Sequence, residues 1–74
     1  MTKTATLNEC KIGENLTILS IPSSCKAQLV RMGLSQGDQV ECISKIPGGP
    51  VVIMKDLIEI AIGQGFAKQI EISR

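Results

Sequence analysis

Histidine, tryptophan and tyrosine do not occur among the 74 residues, and Phe66 is the only aromatic side chain. Without an imidazole, acid-base chemistry near neutral pH would need an Asp, Glu, Lys or Cys moved far from its ordinary pKa. With a single ring there is no stacking platform for single-stranded nucleic acid and no aromatic-lined groove for proline-rich peptides. An excess of one charge is also missing: eight Lys and Arg face seven Asp and Glu, a formal net of +1. That is far from the basic stripe a phosphate binder presents, so no nucleic-acid partner is expected. Long apolar runs are absent too, which predicts neither a bilayer span nor a signal peptide. Cys10, Cys25 and Cys42 are widely spaced, odd in number and unaccompanied by histidine. They fit neither a zinc motif nor a disulfide framework and read as buried thiols of a reducing compartment, so the expected location is the cytoplasm. Asp38, Asp56 and Glu59 lack the spacing of a metal loop, and no lysine-serine phosphate motif follows Gly48 and Gly49. No catalytic residue, cofactor or metal ligand is expected.

What is present is branched aliphatic. The apolar fraction is 43%, carried by Ile, Leu and Val, which favour pleated strands. A chain of this length holds one small core, so residues 7–74 are expected to form a single domain behind a flexible polar arm at residues 1–6. Residues 7–13 read as an entry turn that sets Leu7 and Ile12 against the core. Residues 16–21 read as a strand that Pro22 terminates. Ser23 or Ser24 then caps a helix over residues 25–32, ended by Gly33. Its apolar stripe pairs Leu29 with Met32 and Ala27 with Val30, leaving Lys26, Gln28 and Arg31 facing out.

Gly37 and Asp38 turn the chain into a strand over residues 39–46 whose Val40 and Cys42 share one face. Ile43 and Ile46 then require either a bulge or an exposed apolar spot. Pro47 and Gly48 suit the central positions of a type II turn, because proline presets the first torsion and glycine accepts positive φ at the second. Residues 51–54 form an apolar strand. Residues 57–62 alternate cleanly, with Ile58, Ile60 and Ile62 on one side. After Gly63 and Gly65 a single helical turn through Phe66 and Lys68 leads to a last strand over residues 69–72, with Ile70 and Ile72 inward. Five strands of this kind expose edges unless they close on themselves. The fold expected is therefore mainly β, a small SH3-like barrel of about five strands with one short inserted helix.

Function has to come from a surface. The interaction candidates are Gln28 and Arg31 on the helix, Ile43, the stiff loop of Pro47, Gly48, Gly49 and Pro50, and Phe66 with Lys68. The order of Leu29, Met32-Gly33-Leu34, Gly37 before the strand at 40–43, Pro47-Gly48-Gly49-Pro50, residues 51–53, Ile60-Ala61-Ile62, Ala67, Ile70 and Ile72 resembles the FeoA family of bacterial ferrous iron uptake. The resemblance covers nearly the whole chain from Leu7 onward. It implies an SH3-like barrel and a non-catalytic cytoplasmic accessory protein that binds and modulates the GTPase-containing cytoplasmic region of the transporter FeoB. Membrane association would then arise only through the transporter, and a homo-oligomer is possible on a strand-rich surface. No metal ligand is carried over. Many relatives have a basic residue near Gly63, which leaves Lys68 as the alternative charge for docking. The likeness extends in fold to the SH3-like terminal domain of repressors of the diphtheria toxin repressor type, although the chain has no helix-turn-helix module. A free-standing SH3-like interaction module unrelated to iron transport is the alternative, and a small RNA-binding barrel is the third reading.

Overall fold

A computed structural model describes residues 4–74 of the chain. The first three residues of the expected arm at 1–6 lie outside the described residues, whereas Thr4–Thr6 form strand β1. β2 (Asn15–Ser20), β3 (Gln39–Lys45), β4 (Val51–Lys55), β5 (Ile58–Ile62) and β6 (Glu71–Ser73) complete one antiparallel sheet in the order β1-β6-β2-β3-β4-β5. Two helices punctuate it: α1 (Ser23–Arg31) between β2 and β3, and the four-residue α2 (Gln64–Ala67) between β5 and β6. A 3-10 turn (Leu7–Glu9) follows β1, its Leu7 N–H donating to the Ile70 carbonyl at 2.8 Å.

The sheet is open, which corrects the expected barrel of about five strands. β1 and β5 are its two ends and do not pair with each other. The apolar face is covered by other means: Leu7 from the 3-10 turn, Cys25 and Leu29 from α1 and Ala67 from α2 join the same buried cluster as Ile18, Ile53, Ile60, Ile62, Ile70 and Ile72. With helices covering that face, burial no longer demands closure of the edges.

Two bulges bend the sheet over this core. Cys42 pairs with Ile53 and Ser44 with Val52, so Ile43 is the extra residue on β3. Ile18 pairs with Ile72 and Ser20 with Glu71, which makes Leu19 the extra residue on β2. Each bulge raises the local twist and turns its strand across the neighbour. Ile43 is half-buried as a result, while Ile46 stays exposed.

Four further expectations need correction. Ile12 is 65% exposed, because the turn ending at Gly13 points it away from the sheet while Leu7 and Cys10 take the core positions. The buried stripe of α1 is Cys25 and Leu29, one i, i+4 pair, with Leu34 after the helix end; Val30 and Met32 are exposed. A helix lying on a curved sheet touches it along a narrow line, so a broad stripe is not needed. α1 also starts without a serine cap, since Pro22 is the N-cap residue and makes no side-chain hydrogen bond there. On β5, Ile60 and Ile62 are buried but Ile58 is 53% exposed, because it sits at the hairpin end beyond the core.

Candidate functional site

The nine residues singled out from the sequence lie on four separate elements. Gln28 and Arg31 are exposed on α1, Ile43 is half-buried at the β3 bulge, Pro47, Gly48, Gly49 and Pro50 connect β3 to β4, and Phe66 and Lys68 belong to α2 and its end. Gly48 has φ +75° and the Gly49 N–H donates to the Ile46 carbonyl at 2.7 Å, the bond and torsion of the expected type II turn. Phe66 is partly buried against the core rather than displayed.

The C-terminal end of α1 is the most firmly built part of the surface. Gly33 adopts φ +97° and Leu34 donates to the Leu29 carbonyl at 2.9 Å, so the helix stops in a left-handed glycine cap with Leu34 packed beneath. Lys55 reaches across from β4: its Nζ donates to the Gly33 carbonyl at 2.7 Å and lies 2.8 Å from Asp38 Oδ2. Asp38 also accepts from the Ser35 N–H at 2.7 Å. Lys55 first, and the Ser35 N–H second, hold the Asp38 carboxyl below its ordinary range. The helix is thus tied to the sheet while Gln28, Val30, Arg31 and Met32 face solvent.

A second feature had no counterpart in the sequence expectations. A groove of about 510 Å³ runs over the outer face of β2 and β3 toward the chain end, lined by Asn15, Thr17, Gln39, Glu41, Asp56 and Arg74 among others. None of the nine residues lines it. Its signal in the sequence is the outward set of two paired strands, Asn15 opposite Glu41 and Thr17 opposite Gln39. Beside it Arg74 Nε lies 3.0 Å from Glu14 Oε2, and that hydrogen bond, followed by the Lys11 N–H, lowers the Glu14 pKa. The groove offers amides, hydroxyls and charges of both signs, a hydrogen-bonding surface without a nucleophile and its base.

The thiols are equally unsuited to chemistry. Cys10, Cys25 and Cys42 are free and buried. Burial, then a hydrogen bond with Cys42, pushes the Cys10 thiol up to about 12, and burial raises Cys25. A thiolate is the nucleophile and the metal ligand, so these environments work against both roles. Among the described residues no three His, Cys, Asp or Glu side chains converge to hold a metal ion.

The sequence profile of the FeoA domain matches residues 5–74. The chain belongs to the FeoA family. No curated protein matches the sequence of this FeoA-family chain. Among solved structures it is similar to an iron uptake regulatory protein (FeoA), with 27% identity, a TM-score of 0.86 and 96% of each chain covered. It is also similar to a FeoA-like protein from Clostridium acetobutylicum, at 25% identity and TM-score 0.79, covering 97% of this chain and 87% of that one. A manganese-dependent transcriptional repressor shares the fold alone: 16% identity and TM-score 0.87, over 99% of this chain but 42% of the repressor. Family membership gives the FeoA-family chain a non-catalytic cytoplasmic accessory role in iron transport, and it is not an enzyme. No helix among the described residues is long and apolar enough to cross a membrane.

Proposed function

We propose that this FeoA-family chain docks on the GTPase-containing cytoplasmic region of FeoB through the outer face of α1 and favours one conformational state of the transporter. The observation that carries the reading is the exposed end of α1: Gln28 and Arg31 share its outer side, and the apolar Val30 and Met32 are exposed on its two flanks, on a helix whose inner side is anchored by Cys25, Leu29 and the Lys55 bridge. Apolar atoms with a polar rim expel water on contact, and arginine supplies planar hydrogen bonds that fix registry. The loop of Pro47 to Pro50, with Ile43, Phe66 and Lys68, forms secondary contacts in this reading. To shift a two-state equilibrium the domain must bind the two states unequally, since attachment of equal strength to both moves nothing. In this reading the domain changes uptake without touching iron.

Isothermal titration against the soluble cytoplasmic region of FeoB tests this, run without nucleotide, with GDP and with a non-hydrolysable GTP analogue. Saturable heat whose affinity depends on nucleotide is expected. Arg31→Glu is expected to weaken that binding while lowering the thermal midpoint only slightly, because Arg31 is exposed and its reversal costs no more than the helix-end charge effect. Equal affinity in all three nucleotide states would remove the coupling, and unchanged affinity of Arg31→Glu would remove α1 as the docking face.

A further inference from the structure

The open sheet ends in two unequal edges. β1 has only three residues, Thr4, Ala5 and Thr6. β5 has five, Ile58-Glu59-Ile60-Ala61-Ile62, with no proline, lysine or bulge, and no strand among the described residues pairs with its outer side. Sheets ordinarily blunt a free edge with those very devices. The register decides what this edge offers. Asp56, with φ +56°, and Leu57 form a two-residue turn between Lys55 and Ile58, so Lys55 and Ile58 are the first hydrogen-bonded pair. Antiparallel alternation then turns the N–H and C=O of Ile58, Ile60 and Ile62 toward β4 and leaves those of Glu59 and Ala61 facing outward. Beside them Leu57 is 94% exposed and Ile58 53% exposed.

We propose that a second copy of this chain pairs with β5, antiparallel and two-fold symmetric about Ile60. In that register Glu59 of each copy lies opposite Ala61 of the other, and the outward amides and carbonyls of these two residues close four backbone hydrogen bonds. Ile58 is covered opposite Ile62. The sequence is self-complementary here and at neither neighbouring symmetric register. Centring on Glu59 sets the two carboxylates face to face, which is destabilising. Centring on Ala61 sets Glu59 opposite Gly63, whose carbonyl already accepts from the Phe66 and Ala67 N–H groups of α2. Charge placement and free hydrogen-bonding groups therefore select one arrangement, and they select this chain as the occupant.

Two substitutions at the exposed Ala61 separate this register from general edge effects. Ala61→Lys sets a lysine opposite Glu59 twice in the dimer, and two opposite-charge cross-strand pairs tighten the dissociation constant about 2- to 30-fold at low salt. Ala61→Glu sets two like-charge pairs and weakens it by a similar factor. Sedimentation equilibrium of the full chain over rising concentration, with circular dichroism as the folding control, reads these shifts. The expected result is a reversible species of twice the 7.9 kDa chain mass, strengthened by lysine, weakened by glutamate, with slowed amide exchange at Glu59 and Ala61. A monomer at every concentration for all three proteins overturns the proposal and leaves the edge to an extended segment of another protein. Weakening by both substitutions also overturns it, because lysine then acts as an ordinary edge guard.

Discussion

Lys55→Met removes one ammonium and keeps the aliphatic stem, so it isolates the tie between α1 and β4. Two interactions are lost: the 2.7 Å hydrogen bond to the Gly33 carbonyl and the 2.8 Å pair with Asp38. A hydrogen bond from a charged donor contributes about 1.5 to 3 kcal/mol. The ion pair adds about 0 to 1 kcal/mol, since both side chains keep some contact with water. Against a total of roughly 4 to 11 kcal/mol for a domain of this length, the expected loss of about 1.5 to 4 kcal/mol is large. Urea unfolding followed by circular dichroism measures it, with an unchanged slope confirming that the folded and unfolded ensembles are comparable. The acid limb gives an independent reading. Asp38 has its folded pKa held below the ordinary 3.8, chiefly by Lys55, so its stabilisation is complete above that value and is lost as pH falls through the lower folded one. Lys55→Met removes the main cause, and its stability should fall less steeply below that value than the parent's does. A loss under about 0.5 kcal/mol, or an acid limb unchanged in slope, would refute the assignment of Lys55 as the tie.

Ile60→Ala empties a site 2% exposed beside Ile53, and a loss of about 2 to 5 kcal/mol in the same urea assay is expected; a loss near zero would reverse the inward phase of β5. Gly33→Ala meets no atom within 4 Å but places a Cβ at φ +97°, so the cost should be the left-handed strain alone, about 1 to 2 kcal/mol, and a larger measured loss would mean that packing also fails there. Because burial and the Cys42 hydrogen bond push Cys10 up to about 12 and burial raises Cys25, the folded chain should resist thiol alkylation in mildly alkaline buffer and react at all three cysteines in denaturant. Mass spectrometry counts the adducts, and fast labelling of folded Cys10 would contradict its burial.

Alternation and turn chemistry were readable where local order decides the outcome. Ile60, Ile62, Ile70 and Ile72 face inward as their period requires, and Pro47 with Gly48 forms the turn that their torsions favour. Position along the element was not readable. Ile58 has the same phase as Ile60 yet lies past the core, and Met32 carries the helical period but falls beyond the line where α1 meets the sheet. Sheet closure failed for a related reason: whether β5 meets β1 depends on bulges at Leu19 and Ile43 and on the cover from α1 and α2, which no single segment encodes. Thr4, Ala5 and Thr6 gave no strand pattern, since pairing with β6 rather than their own alternation makes them β1. The outer groove arises only when β2 and β3 are placed side by side, which turns four scattered polar residues into one wall.

Strand β1 lies against β6 with Thr4 beside Ser73, so the first and last described strands are immediate neighbours. A domain built this way behaves as a cassette. It can be spliced into a longer polypeptide at one point, or its ends joined and reopened at the exposed β3–β4 turn, without drawing any core strand out of register.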